Sequence, residues 1–172
     1  MRKGKLSAAL ILWLCVFCSG CWDYKDIDKL SVVTGIGFDR AEGGGIKVTL
    51  EIVDRSSSPK KEGLRTRAVS GAGRTAEDAV QKLARGLDFE MYYGAMAVAI
   101  FGKDTPREEL REWLLNKREV RQTVYVLYED EAGKLLQTEE DGGIAAYKLR
   151  DILDASKREK PLELYRARGH ED

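Results

Sequence analysis

Two stretches decide the fold of this chain: L-S-V-V-T-G-I-G-F-D at Leu30–Asp39 and I-K-V-T-L-E-I-V at Ile46–Val53. Apolar residues recur at every second position of both, which is typical of strands with one buried face. The intervening A-E-G-G-G favours a turn, so the sequence predicts an antiparallel hairpin. The buried face of the first strand is expected to carry Leu30, Val32, Thr34, Ile36 and Phe38, and that of the second Ile46, Val48, Leu50 and Ile52. On the second strand, Lys47, Thr49 and Glu51 are expected to face solvent.

Two glycines in the first strand, Gly35 and Gly37, fall on the face opposite Ile36 and Phe38. Glycine inside a strand indicates a site where another backbone or a helix approaches closely. Gly35 and Gly37 are therefore candidate contact positions, with ordinary packing as the alternative.

The rest of the chain predicts alternating strands and helices. A capped helix is expected after Thr75, with Asp78 closing the capping box, and Thr105–Pro106 predicts a second helix start. The strand–helix–strand order predicts a parallel crossover. Strands are expected at Leu64–Ser70, Ala95–Phe101 and Gln122–Tyr128, and a last helix at Ile144–Ala155 with Ile144, Ala145, Lys148, Leu149, Ile152 and Leu153 in register. We thus expect a single α+β (mixed α/β) domain, with a mixed sheet of about five or six strands packed against about three helices.

The amino terminus has the pattern of a lipoprotein signal peptide. Arg2, Lys3 and Lys5 precede an apolar run at 6–17, which is shorter than the roughly 20 residues of a membrane-spanning helix. C-S-G-C at 18–21 resembles a lipobox, so cleavage is expected between Gly20 and Cys21, with a diacylglycerol on the Cys21 thiol and an acyl chain on its amino group. The expected organisation is a signal peptide at 1–20, a domain at 21–156 and a charged tail at 157–172.

Composition restricts the chemistry of the mature domain. The 172-residue precursor has no net charge, and removing three signal-peptide cations leaves 26 basic and 29 acidic residues, a net charge of −3. This balance argues against a nucleic-acid binder. The single His, His170, lies in the tail, and no thiol remains after acylation, so a His-dependent or Cys-dependent catalytic site is not expected.

Other candidate sites are explained more simply by local structure. The Gly71-x-Gly73 pattern indicates a tight turn, since no acidic ribose partner follows on a strand. The acidic run at 139–141 precedes a predicted helix, and we interpret its carboxylates as solvated or helix-capping groups. Lys117, Arg118 and Arg121 indicate favourable charge after a helix C-terminus.

Four blocks together resemble the Ger(x)C family of spore germination lipoproteins. They are G-C-W-D at Gly20–Asp23, the strand at Leu30–Asp39, S-G-A-G-R-T-A-E-D-A at Ser70–Ala79, and Tyr92–Gly94 through Gly102. Ala95 stands where many members carry His, and family members are about twice as long as this chain.

The resemblance implies a non-enzymatic C subunit of a nutrient germinant receptor, without a cofactor beyond the lipid on Cys21. Such a subunit is tethered to the bilayer at the outer face of the spore inner membrane and acts with the A and B membrane subunits. Its candidate contact residues here are Trp22, Asp23, Gly35, Gly37, Tyr92 and Tyr93, and ordinary packing is the alternative for each.

Three alternatives remain open at this stage. In the first, the chain is an extracytoplasmic lipoprotein that itself binds a small nutrient. In the second, it is a surface enzyme such as a peptidoglycan hydrolase. In the third, it is a truncated homologue without function. A domain of 152 residues lacks the two-lobed size usual for nutrient-binding lipoproteins, which disfavours the first.

Overall fold

The computed structural model describes residues 30–54, 65–87, 90–137 and 144–156. In these ranges six strands form one sheet and four helices pack against it, which confirms the predicted α+β class. The strands are β1 (Leu30–Arg40), β2 (Ile46–Val53), β3 (Thr66–Gly73), β4 (Glu90–Tyr92), β5 (Val98–Gly102) and β6 (Tyr125–Glu129), and the helices are α1 (Ala76–Leu87), α2 (Arg107–Leu115), α3 (Ala132–Leu136) and α4 (Ala145–Ser156).

The sheet is mixed, with the order β3-β2-β1-β5-β6, while β4 pairs with the start of β1. The predicted hairpin is confirmed, since β1 and β2 are antiparallel and β3 extends them on the other side of β2. β5 and β6 run parallel to each other, and β5 runs parallel to β1, as the predicted crossover requires. The amino-terminal ends of β1, β4, β5 and β6 therefore lie at one end of the sheet.

One face of the sheet packs on α1 and α2 through large apolar side chains. Ile36, Phe38 and Leu50 are fully buried there, and Phe38 stacks on Phe101 with ring centroids 5.3 Å apart. On this core α1 buries Ala76, Ala79 and Val80, and α2 buries Leu110 and Leu114. This face is the core that the alternation of β1 and β2 predicts.

The opposite face is also covered, by α3 and α4, and this corrects the prediction for β2. Thr49 and Glu51 were expected in solvent, but their exposed fractions are 0% and 1%. The predicted close approach at Gly35 and Gly37 is confirmed: a Cβ on Gly37 would lie 3.1 Å from the carbonyl carbon of Ala132. The glycines allow α3 and α4 to lie directly on the sheet.

A bulge in β1 changes which side chains share a face. The register of β1 against β2 shifts between Val33 and Gly35. Val33 joins Ile36 and Phe38 in the first core, whereas the Thr34 hydroxyl bonds to Glu51, a residue of the second face. The prediction that Thr34 shares a face with Ile36 is therefore wrong, because the inserted residue shifts the two-residue period.

The structure confirms one predicted helix cap and corrects two other predictions about the helices. Thr75 caps α1 as predicted, accepting from the amide of Asp78 at 3.2 Å. Thr105 does not cap α2; its hydroxyl donates to Gly102 O at 2.8 Å, and α2 begins after Pro106. On α4, Ala146 is buried and Ile152 is 63% exposed, so Ile152 was wrongly placed on the buried stripe.

The remaining differences concern element lengths. β3 continues through the predicted turn to Gly73, while β5 and β6 begin three residues later than expected, at Val98 and Tyr125. Two short elements, β4 with three residues and α3 with five, are not predicted from the sequence. The signal peptide, Trp22, Asp23, the loop at 55–63, the acidic run at 139–141 and the tail at 157–172 lie outside the described residues. Among the described helices, none is long and apolar enough to cross a membrane.

We predict that Gly37→Ala destabilises the domain by about 1–3 kcal/mol, because the new methyl group would press on the backbone of α3. Gly86→Ala is the control, since nothing lies within 4 Å of the methyl group it adds on the surface of α1. Because glycine inside a helix loses more conformational freedom on folding than alanine, Gly86→Ala should stabilise the domain by about 0.5–1 kcal/mol. Urea unfolding of both variants measures the difference, and equal stability of the two would contradict the packing described.

Candidate functional site

A buried carboxylate, Glu51, ties the second face of the sheet to α4. Its oxygens accept hydrogen bonds from the hydroxyls of Thr34 (2.7 Å) and Thr66 (2.8 Å). They also accept from the amides of Ala145 (2.7 Å) and Ala146 (3.0 Å), the first two residues of α4. Helix N-termini carry unpaired N–H groups and a partial positive charge, so the carboxylate and the helix satisfy each other. This contact fixes where α4 begins on the sheet.

Asp39 makes the equivalent contact with α3 at the other end of β1. Its two carboxylate oxygens accept from the amides of Ala132 (2.7 Å) and Gly133 (2.8 Å). A methyl group on Gly102 of β5 would lie 2.7 Å from Asp39 Oδ1, so the missing side chain there leaves room for the carboxylate. Both helices of the second face are thus held by an acidic residue of the hairpin.

A charged groove of about 680 Å³ opens beside Asp39, where β1, β5 and β6 end. We call it the carboxyl-edge groove, and among its lining residues are Lys47, Lys103, Glu131 and Lys134. Lys134 pairs with Glu131, and Lys103 lies 4.0 Å from Asp130. Cations and carboxylates are interleaved here, so the charges largely compensate one another within the groove.

A second groove, of about 340 Å³, lies where β5 and β6 begin, and its charge is different. We call it the arginine groove; its polar lining residues are Tyr92, Arg121, Thr123, Tyr147 and Arg150, and no acidic residue is among the described residues that line it. The Arg150 guanidinium lies 4.9 Å from the centre of the Tyr147 ring and donates to Asp151 at 3.0 Å. Arg121 makes no ion pair or side-chain hydrogen bond with any residue that the structure describes.

The two candidate tyrosines differ in position. Tyr92 is 38% exposed at the arginine groove, and its ring lies over Gly94, where a Cβ would collide with it. Tyr93 is only 5% exposed, packs edge-to-face on Trp113 at 6.4 Å, and its hydroxyl has no hydrogen-bond partner among the described residues. Burial, together with the nearby charges of Glu77 and Glu119, raises the pKa of Tyr93.

The structure therefore separates the predicted contact residues. Gly35 and Gly37 lie under α3 and α4 of the same domain, which is the packing alternative, whereas Tyr92 lies at an open groove. The roles of these residues in binding other subunits stay predictions, as do those of Trp22 and Asp23. Cleavage between Gly20 and Cys21 and lipidation of Cys21 also stay predictions, since all four residues precede the described ones.

The predicted basic cluster after α2 is also divided. Lys117 donates to Glu77 at 2.7 Å and lies over the Trp113 ring, while Arg121 belongs to the arginine groove. The bond from Lys117, with a further one from Trp113, lowers the pKa of Glu77. Arg150 is not recognisable from the sequence as a groove residue, because only the fold brings it to the same groove as Arg121. No group of three or more potential metal ligands occurs among the described residues.

Comparison with known proteins identifies the family. A family model described as "Spore germination protein N-terminal domain" matches residues 23–165. That range covers most of the chain, so the chain belongs to this family, and the resemblance seen in the sequence is confirmed. "Spore germination protein A3" of Bacillus subtilis (strain 168) is 36% identical over 55 residues, which are 31% of this chain and 15% of that protein. No solved structure matches the chain.

We predict that Glu51→Gln destabilises the domain by about 1–3 kcal/mol. One carboxylate oxygen would become an NH2 group facing a backbone N–H of α4, and two donors cannot form a hydrogen bond with each other. Glu42→Gln, the same change at an exposed position of the hairpin turn, should shift stability by less than about 0.5 kcal/mol. Thermal unfolding of the two variants tests this, and a Glu51→Gln protein as stable as the parent would refute the role of Glu51.

Removing the hydroxyl of Tyr93 and removing that of Tyr147 should affect the stability of the domain differently. Tyr93→Phe deletes a buried hydroxyl without a partner among the described residues, so stability should stay constant or rise. Tyr147→Phe deletes a hydroxyl that donates to Ala95 O at 3.2 Å, and should destabilise by about 0.5–1.5 kcal/mol. Denaturant titration of both proteins gives the comparison. A loss of stability in Tyr93→Phe that matches the loss in Tyr147→Phe would show that Tyr93 has a partner.

Proposed function

We propose that this member of the spore germination family is the lipid-anchored C subunit of a nutrient germinant receptor. It is tethered through Cys21 to the outer face of the spore inner membrane and acts with the A and B membrane subunits without catalysing a reaction itself. The observation that carries the proposal is the family match, which begins at residue 23, two residues after the lipobox cysteine.

The amino-terminal sequence supports the lipid anchor. A basic start, a short apolar run, Ser19–Gly20 and then Cys21 occur in the order that lipoprotein processing requires. Two or more acyl chains give stable membrane attachment, whereas a single chain gives only marginal binding. The nine residues from Cys21 to the start of β1 span at most about 32 Å when fully extended, so the tether holds the domain near the bilayer.

The described surface supports an assembly role based on polar contacts. Both apolar clusters are enclosed between the sheet and its helices, and the exposed large apolar side chains among the described residues are Tyr92, Tyr128 and Ile152. Non-obligate protein interfaces have a polar rim and a few aromatic anchors, which fits such a surface. Of these, Tyr92 belongs to one of the four blocks that resemble the family.

Cys21→Ser is the variant that tests the anchor. We expect the variant protein to carry no lipid by mass spectrometry, to leave the spore inner-membrane fraction or remain unprocessed, and to slow germination in response to nutrients. Cys15→Ser is the matched control, since the same change in the signal peptide leaves the acylation site in place. Spores of this control should germinate as the parent does.

Two results would contradict the proposal. The first is a Cys21→Ser chain that still incorporates labelled fatty acid and stays in the membrane. The second concerns the receptor: tagged parent protein solubilised from spore membranes should co-purify with A-type and B-type subunits, and its isolation without either would refute the subunit role. Calorimetry with amino acids and sugars covers the nutrient-binding alternative, which a specific saturable ligand would favour.

A further inference from the structure

The arginine groove differs from the carboxyl-edge groove in that no acidic residue is among the described residues that line it. Its lining has two guanidinium groups, from Arg121 and Arg150, with hydroxyls from Tyr92 and Thr123 at an open rim. Arg150 is ion-paired with Asp151, which lies outside the lining and compensates part of its charge, whereas Arg121 has no ion pair with any described residue. Guanidinium groups present planar, multiple donors that match phosphate oxygens, and tyrosine rings favour the interface between water and lipid.

The groove lies at the end of the sheet from which the chain leads to its anchor. The start of β1 pairs in parallel with β4, where Val32 faces Tyr92. Ala97, which lines the groove, donates its amide to Thr34 O in the same part of β1. Leu30 is the first residue of β1, and only eight residues lie between it and Cys21. Under the proposed function, this edge of the sheet is therefore the one closest to the bilayer.

We propose that the arginine groove binds the phosphate of an anionic phospholipid headgroup and so docks this edge of the domain onto the membrane. This inference rests on the lipid anchor of the proposed function. The groove volume, about 340 Å³, is near the lower end of small-molecule sites, which suits a headgroup rather than a whole lipid. A membrane surface of anionic lipid attracts each nearby basic side chain and repels acidic ones.

The opposite edge of the sheet provides the internal comparison. The carboxyl-edge groove is larger, but its lysines alternate with Asp130, Glu131 and other carboxylates, so it gains little from a negative surface. Docking through the arginine groove would leave this second groove facing away from the bilayer. The two grooves therefore predict one orientation of the domain, with Gln122 near the membrane and Glu42 far from it.

Energy transfer from the lipidated protein to labelled lipid measures this orientation. Since Cys21 is acylated in the mature chain, a dye attaches only to a cysteine introduced by Gln122→Cys or, separately, by Glu42→Cys. Each protein is reconstituted in phosphatidylglycerol vesicles that carry an acceptor dye on their headgroups. We expect stronger transfer from position 122 than from position 42, and a smaller difference in phosphatidylcholine vesicles or at high salt, which screens exposed charges.

The decisive variant is Arg121→Gln combined with Arg150→Gln. Each basic residue near an anionic surface contributes about a fivefold preference, so the docked-to-undocked ratio should fall roughly 25-fold. Lys103→Gln combined with Lys134→Gln removes the same charge at the carboxyl-edge groove and should leave the ratio unchanged. Equal transfer from positions 122 and 42, or equal losses in the two double variants, would overturn the proposal.

Two further measurements distinguish a failure of the groove proposal from a failure of the proposed function. Titration of inorganic phosphate into the detergent-solubilised protein should show no saturable binding at micromolar concentration; tight binding that requires Arg121 would assign the groove to a soluble anion and overturn membrane docking. Mass spectrometry reports the lipid on Cys21 independently of the dye measurements. A chain without that lipid would refute the proposed function, whereas lipidated protein without a preferred orientation would refute only the inference about the groove.

Discussion

The burial of Glu51 is the constraint on which the second layer of this structure depends. A carboxylate that is 1% exposed would strongly destabilise the fold if its oxygens lacked partners. Here the two oxygens receive two hydroxyl donors and the first two amides of α4, and the helix N-terminus adds a favourable dipole. The helix can therefore dock at one position along β2. Because Thr34 and Thr66 come from β1 and β3, the same carboxylate also joins three strands.

The two faces of the sheet are consequently held by different forces. On the first face, Ile36, Phe38 and Leu50 pack against α1 and α2, and non-directional burial of apolar area dominates. On the second face, Gly37 lets α3 approach, and Asp39 binds its first amides. Directional bonds to helix N-termini specify where these helices lie, while the cluster around Val98 and Ile100 supplies the apolar contact.

The sequence predicted the first layer well because its physics is local. Alternating apolar residues revealed β1 and β2, and Thr75 marked the start of α1. On the second face, the glycines at 35 and 37 indicated a close approach. The burial of Thr49 and Glu51 could not be predicted in this way, since polar residues at every second position look the same whether water or a helix N-terminus satisfies them. The helix α3 has five residues and β4 has three, too few for a period to be recognised. At the candidate site, the sequence marked Tyr92 through its motif, but Arg121 and Arg150 are brought together only by the fold.

The parallel arrangement of β1, β4, β5 and β6 gives the domain two chemically different ends. The strand β1 has 11 residues, so its ends lie roughly 33 Å apart. If the chain is anchored through Cys21 as proposed, the arginine groove lies at the end of β1 nearer the lipid headgroups, and the carboxyl-edge groove lies about one strand length further away. The distant groove contains interleaved charges of both signs, and such a pattern favours a partner with a complementary arrangement of charges over a uniform anionic surface. Under the proposed anchor, the direction of β1 therefore decides which of the two grooves faces the bilayer.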